Sequence, residues 1–285
     1  MSENVLPNPL NVNVISPDPL PVDIVSPDPL NVNIVSPDPL PVDPVPKDYY
    51  LEVLRGNVTG QQIVLMQGSN PDVDLAAAEN LWDIGGILVY ATANEQWAIR
   101  SSDANDTLLG TGAQQVTVTY LDDLYVEQTE IVDLNGTTSS SLPVANGFRA
   151  ISAKVTSVGS GGQNAGTITI RVQGGGDQRI GIEIGANRSL HGFYTVPAGK
   201  TAYVIYAFST IAKGKDATVD VKVTQGDDGI FFRQVPSEIY QNSITISPVA
   251  PFGPLIEKTD INFLCTTENN NTRVNSTLQL LVIDD

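Results

Sequence analysis

The sequence predicts an all-β protein: an extended Pro-rich N-terminal arm of four ten-residue repeats, followed by an antiparallel β-sandwich of jelly-roll-like type. Three observations predict it. The chain repeats every ten residues from Pro7 to Pro46, as PNPLNVNVIS, PDPLPVDIVS, PDPLNVNIVS and PDPLPVDPVP. From Trp97 onward short runs of alternating apolar and polar residues are separated by Gly, Pro and Asn turns. No stretch of ten or more residues carries apolar residues at helical spacing.

The repeat comes first because a fixed period constrains every later reading. Each unit opens on Pro-x-Pro-Leu, and proline removes an amide donor and fixes φ, which excludes a helix. The residue before each proline is driven to extended geometry. Leu10, Val12, Val14, Leu20, Val22, Ile24, Leu30, Val32, Ile34, Leu40 and Val42 then recur at even spacing. In an extended chain this spacing places them on one side. Asn11, Asn13, Asp23, Asn31, Asn33 and Asp43 fall on the other. A single extended chain cannot bury such a stripe by itself. These eleven aliphatic residues are therefore the candidate assembly interface, facing either symmetry mates or another protein.

Residues 47–95 read as a connecting region. Tyr49–Leu54 and Gln61–Met66 are strand candidates, and Ile87–Tyr90 is a third. Asp72 or Asp74 is placed to cap a short helical turn over residues 76–80, ended by Gly85-Gly86. Residues 96–285 read as the sandwich domain. Val116-Thr-Val-Thr-Tyr120 and Val219-Asp-Val-Lys-Val223 alternate cleanly, and Asn135-Gly136, Gly159–Gly162, Gly174–Asp177 and Pro197–Lys200 are turns. About a dozen short strands at such spacing indicate an antiparallel sandwich.

Composition narrows the function. Asp and Glu number 32 against 15 Lys and Arg, for a formal charge of −17. That balance disfavours nucleic acid and anionic membranes as partners. The single cysteine, Cys265, can form no intrachain disulfide and sits in an apolar run. No run approaches 18 apolar residues, and the opening MSENVLPNP has neither the basic nor the apolar region of a signal peptide. The expectation is synthesis in a cytoplasm.

Catalytic constellations are poorly supplied. His191 is the only histidine, so a triad has one candidate base. One His and one Cys do not make a zinc shell. Gly192 to Thr201 has six residues between Gly192 and Gly199-Lys200 and leads into a strand, so it is a turn rather than a phosphate loop. Asp122, Asp123, Glu127, Asp227 and Asp228 are carboxylates in turns or on strand edges. Ser101–Thr107 reads as an Asx-rich turn rather than a Ca²⁺ loop. The expectation is a non-enzyme without cofactor or metal. Tryptophan occurs only at positions 82 and 97, which is poor material for a sugar-stacking platform.

A series of short motifs runs through the middle of the chain: Asn70-Pro-Asp-Val-Asp74, Trp82-Asp-x-Gly-Gly86, Ser101-Ser-x-Ala-Asn-Asp-Thr107, Gly110-Thr-Gly-Ala113, Leu134-Asn-Gly-Thr137, Gly159-Ser-Gly-Gly-x-Asn-Ala-Gly-Thr-Ile168 and Tyr194-Thr-Val-Pro-Ala-Gly-Lys-Thr-Ala-Tyr203. In this order they resemble a group of virion structural proteins of tailed bacteriophages, over about residues 68–206. The resemblance implies a β-rich, non-enzymatic particle component and carries no catalytic residues. The expectation is a capsid decoration or head-fibre protein located in the virion. Its expected partners are its own copies, as a homotrimer, and the major capsid protein or another virion protein. The alternative is a tail, adaptor or fibre component that contacts the host surface.

Overall fold

The structure is a computed structural model and describes residues 48–75, 77–224, 237–240, 245–247 and 252–285. The repeat, with the aliphatic residues from Leu10 to Val42, lies outside the described residues.

One helix and seventeen strands follow in order. The helix α1 is Tyr49–Leu54. The strands begin with β1 (Gln61–Val73), β2 (Glu79–Asn80), β3 (Trp97–Ser101), β4 (Ala113–Leu121), β5 (Glu127–Asp133) and β6 (Ser140–Ser141). Then come β7 (Arg149–Val158), β8 (Ile168–Val172), β9 (Gln178–Ile182), β10 (Phe193–Thr195), β11 (Lys200–Ile211) and β12 (Asp216–Thr224). The last are β13 (Ser237–Tyr240), β14 (Thr245–Ser247), β15 (Phe252–Leu255), β16 (Asp260–Thr267) and β17 (Thr272–Asp284).

Two sheets hold the chain's first and last strands. One runs β1-β17-β11-β14, with β15 also on β11. The other runs β10-β16-β12-β13, with β2 also on β16. Successive strands β1, β10, β11, β12, β13, β14/β15, β16 and β17 fall in the first, second, first, second, second, first, second and first sheet. That alternation is the winding of a jelly roll, with each new strand laid beside one from far along the chain. Among the described residues every strand pairing in these sheets is antiparallel, for example Met66 opposite Leu278 and Val219 opposite Cys265. The core between them joins Met66, Val204, Leu278 and Leu280 to Val219, Val223, Ile261 and Phe263. Cys265 is a free, buried thiol in this core.

Between β2 and β10 the chain builds a second sandwich. Its sheets are β6-β3-β8-β9 and β5-β4-β7. Trp97, Ile99, Ile168, Ile170, Ile180 and Ile182 pack against Val116, Val118, Tyr120 and Ala153 in a separate core. The Trp97 and Tyr120 rings meet at 5.4 Å between centroids. Gly147 makes room for them, because a Cβ there would stand 2.4 Å from Trp97 Cε2.

Several local expectations are corrected. Tyr49–Leu54 is helical, not a strand. Short apolar runs do not distinguish the two, and Glu52 supports the turn by accepting from Arg55 and Asn57. Residues 79–80 form β2 on β16, not a capped helical turn. Ile87–Tyr90 joins no ladder. The segment expected to connect, 47–95, instead contributes β1, whose partner is the final strand. The region from residue 96 holds two cores rather than one. Pro71 is tolerated in β1 because that strand is at a sheet edge, and the register shifts between Asn70 and Val73.

Candidate functional site

The described residues bring the chain's buried polar groups together in a few networks, and these coincide with the motif series. The first surrounds Asp106. Its residue is fully buried, in the loop between β3 and β4. Oδ1 accepts from the Ala113 amide at 2.7 Å and the Ala165 amide at 2.8 Å. Oδ2 accepts from Ser101 Oγ at 2.5 Å and the Gly166 amide at 2.9 Å. The Asp106 carbonyl takes the Gly136 amide at 2.7 Å. One residue thus joins four stretches that are scattered in sequence: its carboxylate holds the loops at 101–107, 110–113 and 159–168, and its backbone carbonyl holds the loop at 134–137. Their small residues are required by contact. A Cβ on Gly112 would lie 2.2 Å from Asp106 Oδ1, and one on Gly159 would lie 2.1 Å from the Gly110 carbonyl. Asn164 continues the network, with its Nδ2 donating to the Gly166 and Glu183 carbonyls at 2.7 Å each.

The second network surrounds Glu79 on β2. Its carboxylate accepts from the Asp74 amide, the Gly86 amide and Asn70 Nδ2 at 2.8–3.0 Å. Burial acts to raise its pKa, but the hydrogen bonds from Gly86, Asp74 and Asn70 outweigh it and hold the carboxyl below its ordinary value. Trp82 Nε1 donates to the Gly85 carbonyl at 2.7 Å. The Asn-Pro-Asp and Trp-Asp-x-Gly-Gly motifs are thereby one folded corner.

A third group lies where the two sandwiches meet. Arg149, the first residue of β7, reaches Asp260, the first residue of β16, with Nε at 3.0 Å from Oδ1 and Nη2 at 3.2 Å from Oδ2. Nη1 donates to the Ala91 carbonyl at 2.8 Å, and Thr195 Oγ1 donates to Asp260 Oδ1 at 2.5 Å. The guanidinium stacks over Phe148 at 4.1 Å and Tyr90 at 4.7 Å. Nearby, Arg179 binds both Glu95 oxygens at 2.6 and 2.8 Å and also donates to the Val89 carbonyl. Trp97 Nε1 donates to the same Glu95 at 2.9 Å. Sequence reasoning missed both arginines. The signal available for Arg149 was its place between Phe148 and Ala150 in a chain with only 15 Lys and Arg; Arg179, after Asp177-Gln178, carried no such signal.

The remaining sequence candidates are placed as follows. His191 is buried, with Nδ1 3.1 Å from Ser189 Oγ and Nε2 without a hydrogen-bond partner. Burial pushes its pKa down to about 4. Asp122 closes a turn, accepting from the Leu124 and Val126 amides at 3.0 Å and from Gln128 at 2.9 Å. Asp227 and Asp228 lie outside the described residues. Asp103 Oδ1 accepts the Asn105 amide at 2.8 Å, the Asx turn expected there. Gly199, with φ of 69°, turns the chain into β11 at Lys200, as the turn reading requires. In the networks around Glu79, Glu95, Asp106 and Asp260 the acceptors are engaged by backbone amides, hydroxyls and guanidinium groups. These carboxylates position backbone and neighbouring side chains.

No family model matches the chain, and no curated protein does. Among solved structures, it is similar to the crystal structure of the infectious bursal disease virus VP2 subviral particle at 10% identity, over 83% of this chain and 78% of that chain, with a TM-score of 0.25. The structure of the Gx strain of the same virus gives 10% identity, 82% and 77% coverage, and a TM-score of 0.24. The jelly-roll assignment stands on strand order alone.

Proposed function

We propose that the protein is a non-catalytic structural component of a tailed-phage virion, a capsid decoration or head-fibre protein that joins the particle through its N-terminal repeat. The observation that carries this reading is the pairing of two features in one chain. An amphipathic extended repeat has an aliphatic side that a lone strand cannot bury. After it in sequence come β-sandwiches in which Glu79, Glu95, Asp106 and Asp260 are engaged as structural acceptors. The motif series adds support, since four of its loops meet at Asp106 and two more meet at Glu79. An acidic, Lys/Arg-poor surface suits a component that must stay soluble and avoid packaged nucleic acid.

The test is location and copy number in purified particles, by quantitative mass spectrometry and particle reconstruction. Decoration of the head predicts roughly tens to hundreds of copies, following capsid symmetry. A count of about three to twelve, with density only at the tail, overturns the head assignment in favour of a tail, adaptor or fibre component.

A further inference from the structure

A cleft of about 300 Å³ lies between β1 and β7. Its two sides are Val64–Gln67 and Ile151–Lys154, and Phe193 and Tyr194 line it as well. β1 is a sheet edge that, among the described residues, pairs only with β17, whereas the outer side of β7 is taken by residues 187–189, with the Val155 amide donating to the Asn187 carbonyl and the Ser189 amide to the Ala153 carbonyl at 2.8 Å each. Edge strands offer unpaired backbone groups to an incoming extended segment. Val64 and Ile151 are half-buried here, and Leu65 is 54% exposed.

The lip of the cleft is basic. An isolated bridge holds Lys154 opposite Arg188. Both side chains are exposed, and among the described residues neither meets a carboxylate. Arg188 Nη2 donates only to the neutral Gln67 Oε1, at 2.7 Å. Among the described residues these two adjacent cations have no acidic partner, in a chain of net charge −17. The complement is an extended segment with aliphatic residues on one side, carboxylates on the other, and no basic residues. Within this sequence the repeat has that composition. Residues 1–46 contain no Lys or Arg, and Val22-Asp23-Ile24-Val25-Ser26 is a proline-free run between Pro21 and Pro27. Five residues suffice to span an edge four residues long.

We propose that this cleft receives the repeat of a neighbouring copy, with Val22 and Ile24 against Val64 and Ile151 and with Asp23, on the opposite side of the segment, toward Lys154 and Arg188. This rests on reading the repeat as an assembly segment, and it names the surface that holds it.

The test uses the full chain and reads self-association by analytical ultracentrifugation across a concentration series. The wild type is expected to self-associate, less so at high salt. K154E/R188E, at exposed positions, should raise the dissociation constant about tenfold or more. Adding D23K/D43K to that variant should restore association, because the charges are exchanged and the fold is untouched. A wild type that stays monomeric overturns the proposal and leaves the cleft to a foreign peptide. So does association that K154E/R188E leaves unchanged. Particle location is measured separately, so failure here does not decide the virion assignment.

Discussion

Arg149 and Asp260 form a buried bidentate ion pair whose members belong to different sandwiches, Arg149 in the inserted one and Asp260 in the jelly roll. The two side chains are about one-tenth exposed. Removing one member of such a pair leaves an uncompensated buried charge. R149A should therefore lower unfolding free energy by about 3–5 kcal/mol in urea titration. R149K should recover only part of it, since lysine cannot make the paired contacts. R149M/D260L should come much closer to wild type, because an apolar pair of similar volume needs no compensation. Equal losses in R149A and the double variant would show that the pair does not connect the two cores energetically.

Asp106 predicts a second sensitivity. D106A leaves three buried amides, from Ala113, Ala165 and Gly166, without an acceptor, at about 1–3 kcal/mol each. Melting should fall by ten degrees or more by calorimetry, by the usual relation of stability to midpoint. G112A should also destabilise, since its Cβ would stand 2.2 Å from Asp106 Oδ1. If D106A melts with the wild type, the loops at 110–113 and 159–168 are held by something other than this carboxylate.

Two buried titratable groups predict opposite pH limbs. His191 has its folded pKa lowered from 6.5 to about 4 by burial. The unfolded chain then binds a proton first, so stability present above pH 6.5 is lost as pH falls toward 4, by about 3 kcal/mol. Asp83 is raised from 3.8 to about 7, chiefly by burial, with the nearby Glu183 charge adding to it against the Leu190 hydrogen bond and Arg273. Its contribution is present below pH 3.8 and lost as pH rises through 7. D83N should therefore gain stability over wild type at pH 8, with the difference disappearing near pH 4. H191Q should flatten the acid limb. Urea midpoints from pH 4 to 8 check both, and parallel curves for D83N and wild type would sink the Asp83 assignment.

Deleting residues 1–46 should leave a folded β-protein that no longer joins particles. Circular dichroism reads the first outcome and occupancy on particles the second. Full occupancy without the repeat would show that the anchor lies elsewhere.

Much of the strand content was legible because burial on one face imposes a period of two. Val116 to Tyr120 and Val219 to Val223 alternate in sequence and form β4 and β12. Turn chemistry was legible for the same local reason, as at Gly199 and the Asx turn of Asp103. The helix at Tyr49–Leu54 was not, because six apolar-rich residues satisfy either period. The motif loops could be seen as turns, but nothing local says that four of them meet at one residue, Asp106.

By itself the sequence determined the all-β class, the ten-residue repeat with its aliphatic side, and the acidic character of the chain. These follow from proline stereochemistry, alternation and charge, each a property of residues near one another in the chain. Only the tertiary structure decided that Gln61 pairs with Ile283, that a second sandwich interrupts the jelly roll between β2 and β10, and that Arg149 finds Asp260. Those are pairings between residues up to more than two hundred positions apart. A strand's alternation says which face it buries, but its partner is set by which edges and buried charges remain to be satisfied when the whole chain packs.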